Sequence, residues 1–232
     1  MPHNRYFVDN PLIEGDSLLL EGNESHHLTH VMRQKPGDLV ELINGKNSLA
    51  LAQVEKILKH QTLLQIQSSF TKKIEKPKII LAQALPKLHA LELILEKGTE
   101  LGADAFWLFP GRLSEKNQVK PEQLTKWRQW TIAALKQCGR LDLPEILIYP
   151  PLEQWEKPEG LLYFGDLRPS AVKMGPSKTS PLLFFIGPEK GFHKEEIELL
   201  EKKWQALGIK LHDNILRVET AAITALATCY LK

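Results

Sequence analysis

The sequence has little cysteine and no long apolar run. Its two cysteines, Cys138 and Cys229, stand at no metal-binding spacing and cannot build a disulfide framework, which favours a reducing cytoplasm. No stretch of about 18 apolar residues is present to span a bilayer. The first ten residues, MPHNRYFVDN, contain no apolar signal core. These absences predict a soluble cytoplasmic protein that has no membrane partner.

Several common motifs of catalysis and ligand binding are also missing. The chain has no G-x-x-x-x-G-K-[ST] phosphate loop, no G-x-G-x-x-G dinucleotide fingerprint and no G-x-S-x-G nucleophile turn. His26, His27 and His30 share one predicted helix, but no acidic or cysteine residue stands at a metal-ligand spacing from them. No metal site is therefore expected. The net charge of +2 neither requires nor excludes a nucleic-acid partner.

Residues 1–70 have the pattern of a small β-domain. Four apolar runs of strand length are separated by turn signals such as PGD (36–38) and NG (44–45). The runs are SLLLEG (17–22), DLVELING (38–45), SLALAQVEKIL (48–58) and TLLQIQSSF (62–70). A helix is expected in ESHHLTHVMRQ (24–34), and closure into a small β-barrel would remove exposed strand edges. The charged segment 71–77, which ends in proline, predicts a domain boundary.

From residue 78 the pattern changes to alternating strands and helices. Continuous apolar runs such as KIILAQAL (78–85) and PLLFFIGP (181–188) alternate with helical stripes such as HALELILEKGTELGA (89–103). The last part reads as a helix over 194–207, a strand IKLHD over 209–213 and a helix over 218–232. This order predicts an α/β domain with a parallel sheet over 78–232.

Three predicted strand ends carry unusual loops, and open parallel sheets bind ligands beyond the carboxyl ends of their strands. The loops are YFGD (163–166), IGPEKGF (186–192) and LHDNILRVET (211–220). In the second, Gly187 and Gly191 supply conformational freedom, and backbone N–H groups of the following helix would favour an anionic or polar group. A tight strand–helix turn without a ligand explains this loop equally well.

The third loop places Arg217, Glu219 and Thr220 before an alanine-rich helix. Arg217 could pair with Glu219, cap a carbonyl or reach a substrate phosphate or base edge. Glu219 and Thr220 are also normal in a first helical turn, so simple capping is the alternative. Small side chains on the helix would permit close packing in the core or at a dimer interface; they are Ala221, Ala222, Ala225 and Ala227.

Seven segments in order resemble successive signatures of the SPOUT (trefoil-knotted) RNA methyltransferases. They are RYFVD, HHLTHVMRQKPGDLVELING, ALPKLHALELILEKGTELGAD, LSEKN, KQCGRLDLPEI, IGPEKGF and ILRVETA. The resemblance covers nearly the whole chain and is strongest to the RsmE family, which methylates N3 of a uridine in 16S ribosomal RNA. It implies an α/β fold: a PUA-like β-barrel that binds RNA over 1–70, then a SPOUT trefoil-knot domain over 78–232.

The resemblance also implies S-adenosylmethionine (AdoMet) as cofactor, a homodimer, and 16S rRNA within the small ribosomal subunit as partner. The implied cofactor-binding residues are Gly165, Ile186, Gly187, Pro188, Glu189, Gly191, Leu211, Ile215, Leu216 and Arg217. Arg217 would stabilise or orient the base, and Glu219 is a second choice as proton acceptor. Candidate RNA-binding cations, each of which is singly an ordinary solvated charge, are Arg33, Lys87, Arg112, Lys116 and Arg140.

The chain departs from the family pattern at four loop positions. Lys190 and His212 stand where glycine is usual, Asn214 where arginine is common, and His193 where a serine-type helix cap is normal. If position 190 requires a positive φ, lysine there costs on the order of 1 kcal/mol and would weaken cofactor binding. The alternatives are a non-catalytic RNA-binding relative with a decayed AdoMet site, and methylation of another RNA position, ribose 2′-O or guanine N1.

Overall fold

The structure is a computed structural model that describes residues 4–73, 78–173 and 181–230, without the side chain of Tyr230. Contacts divide the described chain into two units, and the first combines residues 4–73 with Ile132–Leu143. The added segment is held by Lys136, whose Nζ lies 2.7 Å from Glu24 Oε1. The predicted limits 1–70 and 78–232 do not include this excursion, and as limits of independent domains they stay a prediction.

The N-terminal unit is built on one five-stranded sheet. Its strands are β1 (Arg5–Phe7), β2 (Ser17–Glu21), β3 (Leu39–Ile43), β4 (Ser48–Ile57) and β5 (Gln61–Thr71). The order is β1-β3-β4-β5-β2, with β1 parallel to β3 and the other pairs antiparallel. The four predicted runs are thus strands, and the sheet curls into a half-barrel with β1 and β2 at its edges.

Alternation along these strands fills the core of the N-terminal unit. Leu18 and Leu20 of β2 are buried while their neighbours are exposed, as expected for a sheet with one wet face. The predicted helix is present as α1 (Gly22–His26), which continues as a π-helix over His27–Val31. Two register shifts in β4 supply bulges that bend the strand and increase its twist.

The C-terminal unit contains a six-stranded, wholly parallel sheet of order β11-β9-β10-β6-β7-β8. The strands are β6 (Ile79–Ala84), β7 (Ala105–Phe109), β8 (Glu145–Ile148), β9 (Leu161–Gly165), β10 (Leu182–Ile186) and β11 (Leu207–Ile209). The helices in this part of the chain are α2 (Leu88–Glu100), α3 (Pro121–Cys138), α4 (Lys194–Glu198) with a π-helix over Leu199–Lys203, and α5 (Val218–Tyr230). From Ile132 onward α3 belongs to the N-terminal unit. A 3₁₀ turn spans Leu152–Gln154. None of the helices in the described residues is both long and apolar enough to cross a bilayer.

The central strand β6 is buried on both faces, which explains its continuous apolar run. Ile79 and Leu81 join the cluster formed with α2 and α5, whereas Ile80 and Ala82 join the opposite cluster around Trp204. On the alanine-rich α5, Ala222 and Ala225 are buried in the first cluster, as the core alternative predicted. An apolar layer therefore covers each face of the sheet. The edge formed by the strand ends is the part left open to a ligand.

Two predicted boundaries at the end of the chain are wrong. The strand expected over 209–213 is found at Leu207–Ile209, because Gly208 allows close approach to β9 and the loop after it: a Cβ there would lie 3.0 Å from Phe164 Cζ and 2.5 Å from Asp166 Oδ2. The preceding helix, expected to reach 207, ends at Lys203, and Gln205 has φ +59°. Residues 210–217 are consequently free to form one wall of a cavity.

Candidate active site

A cavity of about 350 Å³ lies at the carboxyl edge of the parallel sheet, where such folds bind ligands. Its walls come from the loops that follow β9, β10 and β11. Nine predicted cofactor residues line it: Gly165, Ile186, Gly187, Pro188, Glu189, Gly191, Leu211, Ile215 and Leu216. Arg217 is not among the lining residues. Its side chain is exposed, although its chain neighbours Leu216 and Val218 both line the cavity.

The loop after β10 is a tight turn that only glycine permits at Gly187. A Cβ on this residue would lie 2.9 Å from the carbonyl carbon of Gly191 and 2.9 Å from the amide nitrogen of Phe192. The Gly191 N–H donates to the carbonyl of Pro188 at 2.8 Å, which closes a four-residue turn. Gly191 takes φ +74°, a conformation that costs a side-chain-bearing residue about 1–2 kcal/mol.

Lys190 occupies the third position of this turn without backbone strain. It is not among the described non-glycine residues with positive φ, and the left-handed conformation falls on Gly191. A type I turn accepts most residues at this position and favours glycine at the next. The strain considered for Lys190 is therefore absent, and with it the main reason to expect a decayed cofactor site.

Two side chains hold the turn from behind. The fully buried Gln83 donates through Nε2 to the carbonyls of Ala84, Gly187 and Ile186 at 2.8, 3.2 and 3.3 Å. Glu189 Oε1 accepts the N–H of Lys87 at 2.8 Å, just before α2. Sequence reasoning missed Gln83, although an amide within six buried strand residues was a visible signal. The turn is thus bonded to β6 through Gln83 and to the segment before α2 through Lys87.

The loop after β9 contributes a buried carboxylate that sequence reasoning also missed. Asp166 is 6% exposed and accepts bonds from Arg168 Nε and Nη2 at 3.0 and 2.8 Å. Arg168 Nη2 also reaches Glu201 Oε1 at 3.0 Å. Burial would raise the pKa of Asp166, but the bonds and charge of Arg168 outweigh it and hold that pKa below its ordinary value. The carboxylate therefore stays ionised in the cavity wall.

The loop after β11 ends where α5 begins. The Arg217 carbonyl accepts the N–H of Ala221 at 2.8 Å, the first bond of that helix, and Glu219 is half-buried in its first turn. In the described part of the chain no ion pair joins Arg217 to Glu219. His212 Nδ1 accepts the N–H of Asn214 at 2.9 Å, which leaves the proton of the neutral ring on Nε2.

The helix α4 beside the cavity keeps its cap despite the change from serine to histidine. His193 Nδ1 accepts the N–H of Glu195 at 3.4 Å, and Glu196 Oε2 accepts the N–H of His193 at 2.7 Å. This reciprocal arrangement is a capping box built on histidine. The histidine at this position therefore leaves the cap of α4 intact.

The five predicted RNA-binding cations have unequal surroundings. Arg112 is paired with both Glu153 and Glu195, and Arg140, largely buried, lies 2.6 Å from Asp142 Oδ2. Lys87 Nζ is 3.6 Å from Glu115, whereas Lys116 and Arg33 are exposed. Arg33 and Arg140 belong to the N-terminal unit and the other three to the C-terminal unit. Carboxylates thus already neutralise both Arg112 and Arg140.

The cavity fits a flat, partly apolar ligand with polar edges. Ile186 and Leu211 line it together with Gly165, where a Cβ would lie 3.3 Å from Ile186 Cδ1 and 3.9 Å from Leu211 Cδ1. Backbone groups of the turn around Gly187 come to the same wall without a side chain in between. The described residues contain no cluster of metal ligands. Fold and site together define an α/β enzyme class that binds a nucleoside-type ligand at the sheet edge.

Comparisons with known proteins specify this class. A family model described as an RNA methyltransferase domain matches residues 73–230, and one for an RNA methyltransferase PUA domain matches 20–67. The chain is 31% identical to ribosomal RNA small subunit methyltransferase E of Rickettsia conorii, over 98% of this chain and 95% of that protein. The Bacillus subtilis protein of the same name is 28% identical, with 96% and 94% covered.

A solved structure supports the same family assignment. Ribosomal RNA small subunit methyltransferase E of Neisseria gonorrhoeae, bound to S-adenosyl methionine, superposes with a TM-score of 0.83 at 28% identity, over 98% of this chain and 95% of that one. The chain belongs to the family of ribosomal RNA small subunit methyltransferase E. The predicted family and fold class, an α/β SPOUT domain preceded by a PUA-like domain, are confirmed.

Proposed function

We propose that this protein transfers a methyl group from AdoMet to N3 of a uridine in 16S ribosomal RNA. Family membership and the names of the relatives support the RNA substrate. The cofactor is supported by the S-adenosyl methionine bound to the Neisseria relative. The observation that carries the proposal is the cavity in which nine residues expected to bind AdoMet meet at one sheet edge.

The lining residues suit AdoMet by shape and by polarity. Gly165, Ile186 and Leu211 provide a shallow apolar wall for an adenine ring, and the turn around Gly187 offers backbone groups to the edge of that ring. Asp166 and Arg168, which pair with each other at 2.8 Å, add polar groups to the same wall. When bound, AdoMet supplies an electrophilic methyl group on its sulfonium.

Two residues at the start of α5 are our candidates for catalysis. Uridine N3 must lose its proton for its lone pair to form the new N–C bond, and the half-buried carboxylate of Glu219 would accept that proton. The exposed guanidinium of Arg217, whose chain neighbours Leu216 and Val218 line the cavity, would stabilise negative charge on the uracil oxygens. The enzyme otherwise works by aligning N3 with the methyl group.

We further propose a cytoplasmic homodimer that acts on 16S rRNA within the small ribosomal subunit. The PUA-like unit would bind RNA, and the exposed Arg33, Lys87 and Lys116 remain candidates for phosphate contacts. Arg112 and Arg140 could contribute only if RNA displaced their carboxylate partners.

The test uses unmodified 16S rRNA, free and assembled into small subunits, with isotopically labelled AdoMet. We expect one labelled uridine that mass mapping identifies as N3-methylated. Arg217→Ala and Glu219→Gln should lower turnover at least tenfold while AdoMet binding by calorimetry is retained. Label on a ribose 2′-O or a guanine N1 would overturn the proposed position. No AdoMet binding at millimolar ligand would instead support the non-catalytic alternative.

A further inference from the structure

A second cavity, of about 240 Å³, lies beside the cofactor cavity in the C-terminal unit. The two share Ile209, Leu211 and His212 as lining residues. The rest of its wall is polar and mostly charged: Lys173, Lys210, Asp213 and Thr228. We call it the basic cavity. It is thus a neighbour of the reaction centre with a different chemical character.

Backbone pairing fixes the two lysines of the basic cavity. Val172 bridges to Ile209 of β11: its N–H donates to the carbonyl of Gly208 at 3.2 Å, and its carbonyl accepts the N–H of Lys210 at 2.9 Å. Lys173 and Lys210 therefore each follow a residue of this bridged pair directly. The backbone positions of the two lysines are therefore linked by this bridge.

The charges of the basic cavity are unbalanced. Lys210 Nζ lies 2.9 Å from Asp213 Oδ1, but Lys173 has no carboxylate within ion-pair distance among the described residues. All three groups line one cavity, and the bond from Lys210, then the charges of Lys210 and Lys173, lower the pKa of Asp213, so this carboxylate is ionised. His212 Nδ1 accepts the N–H of Asn214, so Nε2 is the ring nitrogen that remains to donate. Two cations and a ring donor thus line the cavity with one anion.

We propose that the basic cavity binds a phosphodiester group of the RNA substrate close to the target nucleotide. This inference rests on the proposed function. Lysines contact phosphate oxygens as mobile point charges, and a phosphate one cavity away from the cofactor would position the target base at the rim. Lys173 supplies the unpaired charge that Arg112 and Arg140 lack, because carboxylates already pair with both arginines.

The first test is the double variant Lys173→Gln/Lys210→Gln, since neither lysine lines the cofactor cavity. We expect an unchanged Kd for AdoMet, about tenfold weaker binding of 16S rRNA, and a slope of log K against log salt that is shallower by about 0.7–0.9 for one lost phosphate contact. The matched control is Lys202→Gln/Lys203→Gln, two exposed lysines of the same unit that line neither cavity.

A second variant separates charge from folding damage. Asp213→Asn removes the only carboxylate among the described residues that line the basic cavity, and it frees Lys210. RNA affinity should rise about threefold or more, a gain that a misfolded protein would not show. Asp213 is 79% exposed and does not line the cofactor cavity, so AdoMet binding should not change.

The outcomes separate this inference from the proposed function. If the wild type methylates 16S rRNA while the lysine double variant binds it as the Lys202/Lys203 control does, the basic cavity is not a phosphate site. A loss of RNA affinity in Asp213→Asn would contradict it as well. A wild type that methylates no 16S rRNA would overturn the proposed function itself, and this inference with it.

Discussion

Gln83 offers a decisive perturbation of the cofactor loop, because its buried amide bonds that loop from the central strand. Its Nε2 carries two hydrogens, and three carbonyls lie within 2.8–3.3 Å. Gln83→Leu therefore removes about two hydrogen bonds, worth about 1–3 kcal/mol together. If that loss falls on the loop, AdoMet affinity drops by about tenfold to a hundredfold.

Gln83→Glu tests the same hydrogen bonds with a side chain whose charge depends on pH. An ionised carboxylate would face three carbonyl oxygens, so the pKa of the introduced glutamate in the folded protein lies above its ordinary value of about 4.3. Below that pH both states are neutral and little stability is lost. As the pH rises toward the raised folded pKa, the free energy of unfolding decreases by about 1.4 kcal/mol per pH unit.

The assay measures AdoMet Kd by calorimetry and urea unfolding at pH 5, 6, 7 and 8. We expect the unfolding free energy of Gln83→Glu to approach that of the wild type at pH 5 and to fall progressively below it as the pH rises, while that of Gln83→Leu differs from the wild type by a constant amount. Gln154→Glu, on an exposed 3₁₀ turn, is the matched control and should follow the wild type. An unfolding free energy of Gln83→Glu that keeps a constant difference from the wild type across this range would refute the reasoning.

Three further perturbations follow from the described contacts. Gly187→Ala should weaken AdoMet binding more than tenfold in calorimetry, because its Cβ meets backbone atoms at 2.9 Å; unchanged affinity would contradict the turn geometry. Arg168→Ala should lower the urea midpoint at pH 7 but much less at pH 3. The pairing with Arg168 lowers the folded pKa of Asp166, and the stability that results is fully present above the unfolded pKa of about 3.9 and is lost as the pH falls below it. A maleimide at pH 7 should label the exposed Cys138 quickly and Cys229 slowly, since burial raises the pKa of Cys229 to about 12; equal rates would contradict this.

Much of the lining of the candidate cofactor cavity was predictable from short stretches of sequence, while the role of these residues in AdoMet binding stays a prediction. Each of the three loops directly follows an apolar strand, and parallel strands bring their carboxyl ends to one edge. The glycines of the second loop were therefore placed at the cavity without knowledge of the fold. The boundaries of β11 were not predictable, because they depend on how closely Gly208 approaches Asp166 on the neighbouring loop.

The sequence by itself determined the alternation of strands and helices, the curled β-unit and the three loops, since periodicity and turn residues act over short distances. Only the tertiary structure decided which side chains from elsewhere in the chain contact those loops. Only strand order brings Gln83 behind Gly187, Glu201 to Arg168, and Glu153 to Arg112, because such pairs form across segments far apart in the chain. The same pairing decided that Lys190 is unstrained and that the unbalanced positive charge lies at Lys173 and Lys210.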